Sequence, residues 1–230
     1  MEGATGYPLA GVPVKEGVMG NNGKSGCGCF LFILVICMVI VGALMHPFTL
    51  KLIAQQMRHE DKVVPADIIF VPRFAEDKNG ELYTDAFREY WAGNGKLIYV
   101  EEDKIFGVSI ESLITKLATS KGIKENVVKV IDAEGEGAVK LNKINEKFQA
   151  MGYKKVIVLV PEYASKRFRL PYDSLRGDGK ILYMIKPVEV TYFKKDKWWK
   201  DSTSRLTLFK EIYERGAYYW STFQDEERKK

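Results

Sequence analysis

Cysteine and histidine are almost absent from this chain of 230 residues, and their absence removes whole classes of chemistry. The three cysteines, Cys27, Cys29 and Cys37, lie within or beside one apolar segment. The rest of the chain can therefore hold neither a disulfide framework nor a cysteine-based metal site. The two histidines, His46 and His59, also lie near that segment. No histidine is available further along the chain as a metal ligand or a general base.

Clustered positive charge is missing as well. The chain has 35 Lys and Arg against 30 Asp and Glu, and the two signs are mixed along its length. Proteins that bind nucleic acids neutralise phosphates with clustered cations, so no nucleic-acid partner is predicted. A hydrophobic content of 46% and a charged content of 28% are typical of a globular domain.

Long apolar runs are absent except for one. No Asp, Glu, Lys or Arg occurs between Lys24 and Lys51. As a helix, residues 26–48 can cover a hydrocarbon core of about 30 Å, which predicts an uncleaved signal anchor with membrane lipid as its partner. A cleaved signal peptide fits less well because the preceding region is long and no small-x-small cleavage site follows. A buried helix of a soluble protein is the other alternative.

The segments that flank the anchor carry weaker patterns. Residues 1–25 are rich in glycine and are predicted to form a disordered tail. Residues 49–64 place Leu50, Ile53 and Met57 at helical spacing, which predicts a continuation of the anchor helix or a juxtamembrane stalk. Basic residues are nearly balanced on the two sides, so they leave the orientation of the anchor open.

Short apolar strands alternate with amphipathic helices over residues 65–224. Strands are predicted at 66–71, 96–101, 126–131, 155–160 and 180–190. Helices are predicted at 84–95, 109–122, 136–152, from 165 onward and at 204–223, followed by a charged tail at 225–230. This alternation predicts an α/β fold with a parallel sheet covered by helices on both faces. Ligands bind beyond the carboxyl ends of such strands, which points to the loops 72–83, 101–108, 132–136 and 161–166.

The helices also carry predicted caps and inward faces. Thr84 and Ser109 are predicted to begin the first two helices. The second helix is predicted to bury Ile110, Leu113, Ile114 and Leu117, and the third to bury Val139, Ile144, Phe148 and Met151.

Four stretches in order, VVPADIIFV, YKKVIVLVPEYASKRF, KWWK and FKEIYERGAYYW, resemble the YdcF/SanA-like envelope proteins over about residues 63–223. In that family a signal anchor leads into a Rossmann-like domain. Asp67, Glu136 and Arg167 match family positions in the first strand, the third crossover helix and the loop after the fourth strand. The resemblance implies a single-pass protein of the inner membrane, with its domain in the periplasm or outside, that takes part in cell-envelope upkeep.

The loops depart from the family pattern. Where the family has glycines after the first two strands, this chain has Pro72-Arg73-Phe74 and Glu101-Glu102-Asp103, and Ala164 stands where the loop histidine is expected. Glycines let backbone N–H groups approach an anion, so these changes remove donors. Because a nucleophile–base pair is also missing, the domain is predicted to act by binding a ligand or a partner, with degenerate catalytic motifs and catalytic residues left unknown. No cofactor is predicted.

Four residues are predicted to bind a ligand: Arg167, Glu162, Tyr163 and Glu136. The planar fork of Arg167 suits a carboxylate or a phosphate, although it could also be an ordinary surface arginine. Glu136 could instead interact with the positive end of a helix dipole. The acidic turn at 101–103 is interpreted as solvent-exposed, and no metal site is predicted.

Trp198 and Trp199 lie among several lysines and are predicted to form an interface with a protein partner or the membrane surface. Packing of the last helix against the sheet is the alternative for this pair. Two further functions remain open besides an envelope binding domain. The chain could be an accessory subunit of a membrane assembly, or an envelope hydrolase with a carboxylate pair such as Glu136 and Glu102.

Overall fold

The computed structural model describes residues 25–105, 108–175, 177 and 180–228. The tail predicted over residues 1–25 lies outside these ranges except for Ser25. The chain divides into two compact units, Met1–His46 and Pro47–Lys230.

The described part of the first unit consists of one helix, α1 (Ser25–Leu44), and its short C-terminal turn. From Phe30 onward its side chains are exposed, and nearly all of them are apolar. A new helix, α2 (Pro47–Gln55), begins at a proline, a residue suited to the first turn of a helix. The predicted span 26–48 is therefore not a single helix. Within the described ranges no lone helix has the length and apolar character of a membrane span, and Phe30–Leu44 meets that test only together with Pro47–Gln55.

Helix α2 is part of the second unit and contributes to its core. Leu50 and Ala54 are buried, as is Met57 just beyond the end of the helix. The indole Nε1 of Trp198 donates a hydrogen bond of 2.7 Å to the backbone carbonyl of Leu50. The residues predicted to form a stalk between membrane and domain thus begin the domain itself.

A five-stranded parallel sheet forms the centre of the second unit. Its strands are β1 (Ile68–Val71), β2 (Leu97–Glu101), β5 (Val128–Ile131), β6 (Lys155–Pro161) and β7 (Leu182–Val188). A two-stranded antiparallel pair, β3 (Lys104–Ile105) and β4 (Val108–Ser109), follows β2. The order in the sheet is β5-β2-β1-β6-β7. The chain adds strands outward from β1 to β5 and then returns to the other side of β1 with β6, so the order of the strands reverses between β1 and β6. This confirms the predicted α/β fold and gives it a doubly wound, Rossmann-like topology.

Helices cover both faces of the sheet. The remaining helices are α3 (Glu81–Trp91), α4 (Ile110–Ser120), α5 (Gly137–Ala150), α6 (Ser165–Ser174) and α7 (Ser202–Arg228). One core cluster joins α2, α3 and α4 to one face of the sheet, and a second joins α5 and α6 to the other. The β-branched and aromatic side chains of β1 and β6 alternate between these clusters, because successive residues of a strand point to opposite faces.

The predicted helix ends are correct only in part. Helix α3 begins at Glu81, where the carboxylate of Asp77 accepts hydrogen bonds from the N–H groups of Glu81 and Leu82. Thr84, the predicted cap, lies inside the helix. Ser109 does cap α4, since its hydroxyl accepts from the N–H of Glu111. The closing helix α7 runs to Arg228, through most of the predicted charged tail.

The predicted inward faces are correct only in part. Ile144 and Phe148 of α5 and Ile110 and Ile114 of α4 are buried. The predicted inward residues Leu113, Leu117, Val139 and Met151 are exposed. The sheet contacts a narrower stripe of each helix than the apolar pattern indicates.

Two carboxylates fasten the chain around the sheet. Asp67 accepts hydrogen bonds of 2.7 and 3.0 Å from the N–H groups of Lys154 and Lys155, and these bonds lower its pKa. Asp61 accepts from the N–H of Ile185 on the edge strand β7 and pairs with Arg169. These bonds help to hold β6 and β7 in place beside β1, where the order of the strands reverses.

Candidate ligand cleft at the switch point

A cleft of about 830 Å³ lies beyond the carboxyl ends of β1 and β2, beside the start of α6, the helix that follows β6. Its walls come from the loop after β1, the start of α5, the first turns of α6 and the middle of α7. Doubly wound sheets bind ligands in this place, where the strand order reverses. The volume is within the range of about 300–1,000 Å³ that ligand pockets occupy.

A glycine turn brings the start of α5 into the cleft. Gly135 and Gly137 have φ values of 109° and 53°, in the left-handed region that favours glycine. Glu136 lies between them as the N-cap residue, but its side chain makes no capping hydrogen bond. The first N–H groups of a helix have no partner within the helix, and they form the positive end of its dipole. Gly137 and Ala138 line the cleft, so this end of α5 is a potential anion site.

Arg167 contributes a guanidinium group to the same cleft. Its Nε donates to Glu211 at 2.8 Å, and its terminal nitrogen lies 2.9 Å from a carboxylate oxygen of Glu214. The guanidinium carbon lies 4.8 Å from the centre of the Phe168 ring. Two carboxylates of α7 thus occupy the donors with which Arg167 could hold an anionic ligand.

The two carboxylates differ in their surroundings. The Glu211 side chain is 3% exposed, and burial raises the pKa of its carboxyl while the bond to Arg167 opposes that rise. The Glu214 side chain is 34% exposed and lines the cleft. Glu211 is therefore a structural partner of Arg167, whereas Glu214 can be displaced at a smaller desolvation cost.

The other two cations of the cleft, Arg73 and Lys140, are both paired with carboxylates. Arg73 lies 2.9 Å from Asp103, and its backbone N–H donates to Glu101 at 2.9 Å. Lys140 forms an ion pair with Glu101. Three cations and three carboxylates line the cleft, so their formal charges cancel. The net positive potential for a ligand comes from the helix terminus rather than from excess basic side chains.

Apolar and aromatic side chains form most of the cleft wall. Phe70 of β1 and Ile144 of α5 are in the lining. Phe168 and Tyr172 of α6 line one side, and Tyr213 and Tyr218 of α7 are also in the lining. Several rings in the lining of one space suit a flat, apolar group.

The other two predicted ligand residues do not line this cleft. Glu162 is buried beside Lys195, at 3.2 Å, in a separate cavity of about 150 Å³ near α2. Burial raises the pKa of Glu162, and Lys195 opposes the rise. The loop that carries Glu162 is held against residues 57–59. The N–H of Lys166 donates to the carbonyl of Met57, and the hydroxyl of Ser165 accepts from the N–H of His59.

Tyr163 is buried against the ring of Phe193, with 5.0 Å between ring centres. Its hydroxyl and that of Tyr192 have no hydrogen-bond partner among the described residues. Tyr163 lines a third cavity, of about 210 Å³, which shares Arg73, Arg167, Phe168 and Glu214 with the cleft. The ion pair between Arg167 and Glu214 thus lines both the cleft and this third cavity.

The predicted tryptophan interface divides in two. Trp198 is buried and bonded to Leu50, so its ring belongs to the core. Trp199 is partly exposed and packs edge-to-face on Trp198, with 6.1 Å between ring centres. An interface role stays a prediction, and only Trp199 of the pair has surface available for it.

Several residues of the cleft lie outside the loops that the sequence predicts. Gly137 and Lys140 follow directly after the predicted loop 132–136, and the pair Gly135 and Gly137 before a helix was the available indication. Arg73 lies in the predicted loop 72–83, where the sequence indicates only the loss of a glycine. The contribution of α7 had no sequence pattern to predict it, because it depends on the tertiary position of the last helix.

The carboxylates proposed for a hydrolase are not assembled as a pair in this cleft. Glu136 lines it, whereas Glu102 is outside its lining and accepts a hydrogen bond from Ser109 at 2.9 Å. Among the described residues no group of three or more His, Cys, Asp or Glu is placed to hold a metal ion.

The sheet order and the cleft above its switch point define a Rossmann-like α/β protein. Comparison of the chain with models of protein families, with curated proteins and with solved structures gives no match in any of the three.

Proposed function

We propose that this protein is a membrane-tethered, Rossmann-like binding domain of the cell envelope. Its ligand is a small molecule with a flat, apolar body and one anionic group. The observation that carries the proposal is the position of the 830 Å³ cleft, above the switch point of the sheet and lined by both aromatic rings and anion donors.

The anionic group of the ligand binds between the start of α5 and Arg167. The uncapped helix terminus supplies backbone N–H donors and a fixed positive dipole. Arg167 supplies a planar fork that matches carboxylate or phosphate oxygens. To reach it, the ligand replaces Glu214, the more exposed of its two carboxylate partners.

The apolar body of the ligand lies among the aromatic side chains of the cleft. Phe168 and Tyr172 come from α6, and Tyr213 and Tyr218 come from α7. Covering such rings and a flat ligand removes apolar surface from water, which supplies most of the affinity of small-molecule sites.

The functional groups in the lining of this cleft suit binding of a ligand rather than catalysis. Ser221, the serine in its lining, lies on exposed α7 and is not bonded to a base among the described residues. A nucleophile needs an adjacent base or a lowered pKa. Tyrosine and arginine side chains, together with carboxylates in ion pairs, are sufficient to recognise a ligand.

The membrane tether is residues 26–48, which begin with the exposed apolar helix α1. Exposed side chains of this kind are stable in lipid and unfavourable in water. The resemblance to the YdcF/SanA-like envelope proteins supports the same assignment. Extraction of membranes with alkaline carbonate tests it: the full chain is expected in the pellet, and release into the supernatant would contradict a spanning anchor.

Titration of the full chain in lipid nanodiscs with phenyl phosphate tests the ligand class. Phenol serves as the uncharged control, because it has the same ring without the anion. Saturation-transfer NMR, with empty nanodiscs as the blank, is expected to show binding of phenyl phosphate and much weaker binding of phenol. Equal binding of the two compounds would contradict an anion site.

A second candidate function is that of an accessory subunit in a membrane assembly. The exposed apolar side chains along α7 favour it, because such a surface is typical of an interaction site.

A further inference from the structure

Helix α7 carries a regular row of residues on its exposed side. Leu206, Phe209, Tyr213, Gly216, Trp220 and Phe223 follow one another at intervals of 3, 4, 3, 4 and 3 residues. We call this row the α7 seam. Its five large side chains are 72%, 59%, 76%, 65% and 55% exposed, in chain order. A repeat of 3.5 residues is the spacing of helices that pair side by side as coiled coils.

Gly216 in the middle of the seam has no explanation within its own chain. A side chain built at this position would meet nothing within 4 Å. Glycine inside a helix is less stable than alanine by roughly 0.5–1 kcal/mol, so an exposed one is a net cost. A large side chain arriving from outside the chain would make use of the space.

We propose that the α7 seam packs against the α7 seam of a second copy of this chain, with the two helices antiparallel. In this arrangement Leu206 faces the partner's Phe223, Phe209 faces the partner's Trp220, and Tyr213 faces the partner's Gly216. Each layer occurs twice, as the two-fold symmetry of an isologous dimer requires. Tyr213, the most exposed side chain of the seam, is then placed over the partner's Gly216, which has no side chain.

The area of the surface suits a dimer. Besides the seam, Ile212 and Tyr219 are exposed at neighbouring positions of the same face. Aromatic side chains bury about 150–250 Å² each when fully covered, so the five aromatics of this face, at their observed exposure, bury about 600 Å² per chain. The total of about 1,200 Å² for two chains reaches the lower limit of specific protein interfaces.

The charge of α7 favours a protein partner over a lipid surface. Within Ser202–Arg228 the sequence has four basic and five acidic residues. Helices that lie on anionic membranes carry an excess of Lys and Arg beside the apolar face. Helix α7 has no such excess, whereas a second copy of it presents an apolar seam without a block of like charge.

Disulfide crosslinking in native membranes tests the antiparallel pair. The full chain, with Cys27, Cys29 and Cys37 replaced by serine, receives Phe209→Cys and Trp220→Cys together. Within one helix these positions are about 16 Å apart, which exceeds the Cα separation of about 7 Å that a disulfide allows. Mild oxidation is therefore expected to give covalent dimers from the double variant. Each single variant, the matched control, is expected to stay monomeric.

A second pair, Leu206→Cys with Phe223→Cys, guards against a defect at one position and is expected to behave in the same way. Dimers formed by the single variants would show parallel helices and contradict the proposal. The absence of dimers from both double variants would also contradict it, and would leave lipid or another protein as the occupant of the seam.

Discussion

Arg167 is the residue on which the ligand site depends, and it is also bound by its own chain. Its partner Glu211 is buried, so removing the partly exposed arginine entirely would leave a buried carboxylate without that partner, at a cost of up to about 3 kcal/mol. Glu214 is more exposed and faces the cleft. A ligand anion and Glu214 therefore compete for the same guanidinium donors.

Two substitutions are expected to change ligand affinity in opposite directions. Glu214→Gln removes the charged competitor and should tighten phenyl phosphate binding roughly two- to fivefold, which equals about 0.4–1 kcal/mol. Arg167→Lys keeps a cation beside Glu211 but loses the planar fork, and should weaken binding roughly tenfold. Dissociation constants from ligand-observed NMR of the full chain provide the comparison.

Glu146→Gln is the matched control for this pair, because Glu146 is exposed on α5 and outside the lining of the cleft. It should leave the dissociation constant unchanged. If Glu214→Gln weakened binding, or if Arg167→Lys had no effect while the variant stayed folded, the competition at Arg167 would be refuted.

Helix α2 shows how an element can be assigned to the wrong part of a molecule. Its apolar residues follow an apolar anchor in the sequence, so a stalk or a longer anchor helix was predicted. The structure buries Leu50 and Ala54 of this helix in the domain, near Trp198 from the other end of the chain. No local pattern contains that contact, because the two segments are 148 residues apart.

Trp198→Phe tests whether α2 is an integral part of the domain. The substitution removes the 2.7 Å hydrogen bond to Leu50 and replaces a buried indole with a smaller ring, which should lower the free energy of unfolding by about 1–3 kcal/mol. Thermal unfolding followed by circular dichroism measures the change. Trp199→Phe is the control, since this neighbour is partly exposed, and it should stay within about 0.5 kcal/mol of wild type. Equal stability of Trp198→Phe and wild type would mean that α2 contributes little to the domain.

The elements that the sequence predicted well are those whose environment is uniform. Strand β6 is buried along almost its whole length, and its run of β-branched residues requires no choice of face. Helix α5 is different, because only part of its apolar residues contact the sheet. Val139 and Met151 have the right spacing and are exposed, so periodicity identified the helix and not the width of its buried stripe.

At the scale of the whole molecule, the general place of the site was predictable and its composition was not. Alternating strands and helices imply a crevice at the carboxyl ends of the strands, and two of the four predicted residues, Arg167 and Glu136, line it. Glu162 and Tyr163 come from the expected loop, but that loop is hydrogen-bonded to residues 57–59 and neither side chain lines the cleft. The side chains that α7 adds come from a helix far along the chain.

Tyr213 connects the two proposals that concern α7. It lines the cleft and also belongs to the α7 seam, so one helix contributes both to the ligand site and to the proposed dimer surface. The two proposals stay independent in their tests, because crosslinking at positions 209 and 220 needs no ligand, and Phe209 and Trp220 are outside the lining of the cleft.

The most direct test of the central claim is backbone hydrogen exchange of the full chain with and without saturating phenyl phosphate. If the anion binds at the switch point, exchange should slow at residues 137–139, the start of α5, and at residues 166–168 of α6, whereas phenol should leave these segments unchanged. Slower exchange confined to other segments, with the start of α5 unaffected at saturation, would contradict the account.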